Sequence, residues 1–173
     1  MLPHLTLILG GAASGKSTFA ETLATDSGHN RIYIATAQSH DDEMRAKIAR
    51  HQHLRGTGWT TIEEPLELPT HLAALAATDV VLLDCATMWL TNHLLAESDL
   101  ETAQSLFLNA LANCPAHVIV VSNEVGSSVV PENALARRFR EAQGRLNQAI
   151  AAQSDLVVTV IAGLPLTLKG TLL

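Results

Sequence analysis

Residues Gly10 to Ser17 read Gly-Gly-Ala-Ala-Ser-Gly-Lys-Ser, an octapeptide that satisfies GxxxxGK[ST]. It follows the apolar run Leu5 to Leu9 and precedes Thr18 to Ala24, a helix-forming stretch. A strand that breaks into small residues and then enters a helix lets backbone N–H groups close around phosphate oxygens. Lys16 adds a point charge for the β- and γ-phosphates, and Ser17 offers a hydroxyl to Mg²⁺. Gly10, Gly11, Ala12, Ala13, Ser14, Gly15, Lys16 and Ser17 are therefore expected to bind a nucleoside triphosphate, with Lys16 also acting in catalysis. A glycine-rich turn with an incidental lysine is the plainer alternative, and the flanking strand and helix argue against it.

The same alternation continues along the chain. Apolar runs at Leu5 to Leu9, Ile32 to Ala35, Val80 to Leu83, Val118 to Val121 and Leu156 to Ile161 are separated by helical stretches. They are apolar at nearly every position, as expected for strands covered on both faces, so a three-layer α/β fold with a mostly parallel central sheet is expected. With 173 residues, 47% of them hydrophobic, the chain can bury one core but hardly two, which predicts a single domain over residues 1–173. Glu132 to Gln153, alanine-rich and following Pro131, predicts a long amphipathic helix. Asp41 to about Arg55 predicts another, opened by Ser39 and the acidic Asp41, Asp42 and Glu43.

Charge narrows the choice of partner. Eleven basic against seventeen acidic residues give a net charge of −6, so the average field repels nucleic acid and anionic membranes, and any phosphate must be captured locally. Cys85 and Cys114 form neither a disulfide framework nor a metal-ligand spacing, which fits a reducing cytoplasm. The opening Met-Leu-Pro-His-Leu-Thr-Leu-Ile-Leu lacks a basic flank and reads as a buried strand rather than a signal. No apolar stretch is long enough to suggest a membrane span.

Other candidates carry two readings each. Asp84 ends an apolar run, where an acidic residue either assists a bound metal or simply caps the strand. On the predicted Asp41–Arg55 helix, Met44, Ile48 and His51 share one stripe, so His51 is either a satisfied core histidine or a reacting imidazole; His53 points elsewhere. Ser122 to Gly126 follows a strand and emerges at the sheet's carboxyl edge, suggesting contact with substrate or γ-phosphate, or only a turn closed by Gly126. Arg137, Arg140 and Arg145 either meet substrate phosphate or form a solvated helix face.

Gly-Gly-Ala-Ala-Ser-Gly-Lys-Ser, Tyr-Ile-Ala-Thr-Ala, Asp-Asp-Glu-Met, Arg-His, Leu-Leu-Asp-Cys, Ser-Asn-Glu-Val-Gly and Val-Pro-Glu-Asn-Ala-Leu-Ala-Arg occur in that order and span most of the chain. Together with Gly-Arg-Leu-Asn-Gln and Ala-Gly-Leu-Pro-Leu-Thr-Leu-Lys-Gly, they closely resemble the bifunctional adenosylcobinamide kinase/adenosylcobinamide-phosphate guanylyltransferase family of cobalamin biosynthesis. The resemblance implies a P-loop NTPase-like (RecA-like) fold. It also implies two reactions: phosphorylation of the corrinoid adenosylcobinamide by ATP or GTP, then transfer of GMP from GTP to the new phosphate with release of pyrophosphate.

In that family a histidine on the helix after the Asp-Asp-Glu-Met segment carries GMP covalently, and the matching residue is His51. The same carry-over makes Thr36, Ala37, Gln38, Gln52, His53, Leu54, Arg55, Glu63 and Asp84 nucleotide contacts, with Ser17 and Asp84 at Mg²⁺. The resemblance further implies a homotrimer. Residue by residue these assignments compete with ordinary roles: Thr36 as a strand end, Glu63 as a solvated edge charge, Arg50 as the partner of a nearby acid. The sequence departs from the family at Ala13, where arginine is usual, which implies a lost phosphate contact and altered affinity rather than altered chemistry. Two other functions fit the loop alone: a small-molecule kinase without nucleotidyl transfer, and a GTP-dependent binding module.

Overall fold

The structure, a computed structural model, describes residues 2–38 and 56–172. All five apolar runs are strands: β1 (Leu5–Gly10), β2 (Asn30–Ala35), β4 (Asp79–Asp84), β5 (His117–Asn123) and β6 (Leu156–Ile161). Two further strands complete one seven-stranded sheet, β3 (Trp59–Glu63) and β7 (Leu164–Lys169), in the order β3-β2-β4-β5-β1-β6-β7. Every pairing is parallel except β6 with β7. The expected mostly parallel α/β fold is therefore present.

The two strands absent from the sequence reading lie at the sheet's edges. Among the described residues β3 pairs only with β2, and its Trp-Thr-Thr-Ile-Glu has no fully buried position, so it lacks the apolar continuity of the inner strands. β7 returns from β6 through Ala162 and Gly163, both with positive φ (52° and 78°), as a two-residue hairpin turn requires. Its side chains are mostly exposed, and Pro165 is tolerated because an edge strand need not donate on both sides.

Among the described residues the helices are α1 (Lys16–Asp26), α2 (Leu68–Ala73), α3 (Ala86–Leu95), α4 (Leu100–Asn113) and α5 (Ala134–Gln153). The last begins at Ala134 rather than Glu132. Asn133 adopts an extended conformation (φ −76°, ψ 130°), and its side-chain oxygen accepts from the N–H groups of Leu135 and Ala136, so capping chemistry sets the start. The predicted Asp41–Arg55 helix lies outside the described residues.

Strand alternation distributes the core. Val81, Leu83, Val118 and Val120 pack with Trp89, Phe107, Leu111, Leu146 and Ile150 of α3, α4 and α5. Val80, Leu82, Ile119 and Val121 pack on the opposite face with Ala20 and Ala24 of α1. Since successive strand residues point to opposite faces, Asp84 follows Val80 and Leu82 to the α1 face. Asn123 follows Ile119 and Val121 to that same face, whereas Ser122 follows Val118 and Val120 toward α5. Among the described residues no helix is long and apolar enough to cross a membrane.

Candidate active site

The phosphate loop leaves β1 at Gly10 and enters α1 at Lys16. Gly15 takes the N-cap position with φ 93° and contributes no side-chain hydrogen bond, whereas Asp99 caps α4 and Asn133 caps α5. The N-cap residue thus offers no side chain to the first N–H groups of α1, at the positive end of the helix dipole, where an anion is stabilised. Lys16 Nζ donates to Gly11 O at 2.9 Å, which folds its charge back over the loop. Ser14 Oγ is buried without a hydrogen-bond partner among the described residues, an arrangement that a bound phosphate oxygen would complete.

Two neighbours hold the loop. Glu124 N–H, just past β5, donates to Gly10 O at 3.1 Å, and Gly163 N–H of the β6–β7 turn donates to Ser14 O at 2.8 Å. Space is tight at Gly10, where a Cβ would stand 2.4 Å from Ser14 Oγ and 2.8 Å from Val160 O. Gly10→Ala is therefore expected to weaken GTP binding at least about tenfold, through loss of roughly one charge-assisted contact as the loop shifts. Titration calorimetry with GTP checks this, and unchanged affinity would show that the loop has room the structure does not give it.

Strand register gathers the other candidates at the same carboxyl edge. Gly10 is level with Asn123, Asp84 with Val121 and Ala35, and Ala35 with Glu63. Asp84 stands one strand removed from β1, on the α1 face, and its Oδ2 accepts from Tyr33 Oη at 2.9 Å. Ser17 lies in the first turn of α1. Glu63 is an exposed strand end, and Ala37 and Gln38 are half-buried just past β2. His51, Gln52, His53, Leu54 and Arg55, like Arg50, lie outside the described residues.

Thr36 is at the edge but its side chain has structural work. Its Oγ1 donates to Cys85 O at 2.7 Å and accepts from Cys85 N at 2.8 Å, while the Asn92 amide donates to Thr36 O at 2.8 Å and Pro65 O at 3.1 Å. This buried bridge ties the ends of β2, β3 and β4 together, and Thr36 N–H donates to Asp84 O at 3.2 Å, so backbone and side chain alike hold the strand ends. Burial, reinforced by the neighbouring Asp84 carboxylate, pushes the Cys85 thiol up to about 11. At neutral pH it stays protonated and is no nucleophile.

Arg137, Arg140 and Arg145 of α5 are engaged with protein groups. Arg140 donates to Gly126 O, Arg137 to Pro131 O at 2.9 Å and to Glu132 O, and Arg145 pairs with exposed Glu141 at 3.0 Å. These contacts support the helix-face alternative and give Arg140 a part in holding the Ser122–Gly126 segment. An apolar groove of about 500 Å³ between α3 and α5, lined by Thr91, Leu94, Leu95, Leu135 and Phe139 among others, shares no residue with the loop. The sequence reading did not reach Thr87, Asn92 or Gln143, buried polar residues in helices with no motif of their own. Asn147, by contrast, sits within the Gly-Arg-Leu-Asn-Gln that carries part of the resemblance.

Solved structures share this architecture. The flagellar accessory protein FlaH from Methanocaldococcus jannaschii superposes with a TM-score of 0.53 at 16% identity, covering 98% of this chain and 80% of that one. The RadB recombinase gives 0.51 at 17% identity, covering 91% and 74%. At such identities the likeness establishes a P-loop NTPase fold alone. Sequence relatives are nearer: the bifunctional adenosylcobalamin biosynthesis protein CobP of Pseudomonas aeruginosa is 47% identical over 95% of this chain and 96% of its own length. The corresponding CobU proteins of Salmonella typhimurium and Escherichia coli are 40% and 38% identical over 95% of this chain and 99% of theirs. The model of the cobinamide kinase / cobinamide phosphate guanyltransferase family matches residues 6–168, and this chain belongs to that family.

Proposed function

We propose that the chain phosphorylates adenosylcobinamide with ATP or GTP and then transfers GMP from GTP to the product, giving adenosylcobinamide-GDP and pyrophosphate. The observation that carries this is the uncapped start of α1 beneath the phosphate loop, with Asp84 on the same face of the sheet. In the first reaction the corrinoid hydroxyl oxygen bonds to the γ-phosphorus, the bond to the β-phosphate bridging oxygen breaks, and the hydroxyl proton is lost to solvent or base. Lys16 and the loop N–H groups neutralise charge on the phosphate oxygens as it redistributes, which is most of what phosphoryl transfer asks of a protein. Mg²⁺, held by Ser17 and Asp84, would supply further charge neutralisation there.

In the second reaction an imidazole nitrogen of His51 bonds to the α-phosphorus of GTP as pyrophosphate leaves. The phosphate oxygen of the corrinoid then displaces the imidazole, so the N–P bond breaks and GMP is transferred. A neutral imidazole, with an ordinary pKa near about 6.5, suits both roles. Splitting the transfer means that the corrinoid phosphate meets the single charge of the guanylyl group rather than the whole triphosphate. Thr36, Ala37, Gln38, Gln52, His53, Leu54, Arg55 and Glu63 would contact the nucleotide, and the working assembly would be a homotrimer.

Product analysis with adenosylcobinamide, ATP, GTP and Mg²⁺ tests this, with both the phosphate and the GDP derivative expected. The phosphate alone would leave a simple kinase, and neither product would contradict the proposal outright. Ala13, at φ 55°, occupies the left-handed region within the loop. Ala13→Arg is expected to tighten GTP binding about three- to tenfold, one charge-assisted hydrogen bond less the conformational cost, without changing which products form. Calorimetry with the same product assay checks both halves.

A further inference from the structure

The end of β5 is fastened by buried side chains. Asn123 N–H donates to Thr87 Oγ1 at 2.8 Å, and Asn123 O accepts from Asn147 Nδ2 at 3.1 Å. Asn147 is itself fixed: its Oδ1 accepts from Ser122 Oγ at 2.6 Å and from Gln143 Nε2 at 2.9 Å, and Gln143 Nε2 also reaches Ser122 Oγ at 2.9 Å. Thr87, Ser122, Gln143 and Asn147 are all buried. Burying that much polar surface is costly unless it is paired; among the described residues only Gln143 Oε1 of this cluster lacks a partner, and the rest converges on the backbone of one residue, from Thr87 of α3 and Asn147 of α5.

Both backbone groups of Asn123 are thus occupied, and its half-buried side chain carries no hydrogen bond among the described residues. By alternation that side chain lies on the α1 face, level with Gly10 and between the strands that end in the phosphate loop and in Asp84. The next residue, Glu124, gives its N–H to Gly10 O, which places Asn123 directly beside the loop. An amide held rigidly beside a triphosphate site can donate Nδ2–H to an oxygen of the phosphoryl group in transfer. Such a contact accelerates the reaction only if its position is set in advance.

We propose that Asn123 contacts the transferring γ-phosphoryl group in the kinase step, and that Thr87 and Asn147 are positioning residues acting through its backbone. This rests on the kinase reading above. The decisive comparison uses the full chain with adenosylcobinamide and ATP, following ADP release, alongside nucleotide affinity and thermal melting. Asn123→Ala is expected to lower kcat about 10- to 100-fold with nucleotide affinity changed less than about threefold, as for loss of a contact made chiefly in the transition state. Thr87→Val, which keeps the shape and removes the hydroxyl, is expected to lower kcat about 5- to 20-fold, and Thr87→Ser to restore it to within about twofold.

The double variant distinguishes positioning from mere stability. With Asn123 already alanine, Thr87→Val should cost no further kcat while its effect on melting persists, because residues acting as one unit are not additive. Thr87→Ala carries the same comparison if the valine variant does not melt cooperatively. Equal kcat losses from Thr87→Val in both backgrounds, no rescue by serine, or an Asn123→Ala enzyme with full kcat would each overturn the inference alone. A wild-type chain with no turnover of adenosylcobinamide would overturn the kinase reading and this inference with it.

Discussion

Lys16→Ala is expected to lower both phosphorylation of adenosylcobinamide and guanylyl transfer by about 10²- to 10⁴-fold, the range seen when a preorganised positive group is removed from a phosphoryl-transfer site. Its ammonium is held by Gly11 O at 2.9 Å, within the loop whose N–H groups face the same anion. No other Lys or Arg lies in the loop. Within the loop nothing replaces the lost charge. The fold should survive, because alanine suits the first turn of a helix and Lys16 contributes no core packing. Steady-state assays of both half-reactions check this, with melting as the control. A variant retaining more than a tenth of either activity would show that the loop is not the shared phosphate site.

His51→Ala is expected to separate the two reactions. If one loop serves both and only GMP transfer passes through an imidazole, the substitution removes a nucleophile from the second and nothing from the first. Guanylyl transfer should fall at least about 10³-fold, since losing the nucleophile forfeits the whole covalent route, while kinase kcat stays within about threefold. Feeding adenosylcobinamide phosphate with GTP measures the first number, and adenosylcobinamide with ATP the second. Equal losses would assign His51 to nucleotide binding rather than to bond making.

The sequence exposed those parts of the fold and site that depend on short-range pattern. The phosphate loop is such a part, because glycines, lysine, serine and the strand-to-helix change sit within one segment. The five inner strands are another, since burial on both faces leaves an unbroken apolar run, as in Val80 to Leu83. β3 and β7 were hidden because edge strands need no such run: β3 is largely polar, and β7 depends on a tight turn at Ala162–Gly163 and an antiparallel return.

What the sequence could not show was long-range pairing of polar groups. The Thr36–Cys85 bridge, the Asn92 contacts and the Thr87–Asn123–Asn147 clamp join residues distant in the chain, and no local spacing announces them. Arg137 and Arg140 show the converse. As basic residues on an amphipathic helix they suggest phosphate, yet their guanidiniums bind backbone carbonyls of the preceding loop. His51 is legible only through family resemblance, since an inward helical histidine is more often structural.

Incubation with GTP labelled at the α-phosphate, followed by denaturation and acid treatment, tests the two-reaction account most directly. Wild type is expected to retain label that acid releases, as a phosphoramidate does, and His51→Ala to retain none while still phosphorylating adenosylcobinamide. Wild type that makes adenosylcobinamide-GDP without ever holding the label, or a His51→Ala variant labelled as fully as wild type, would contradict it.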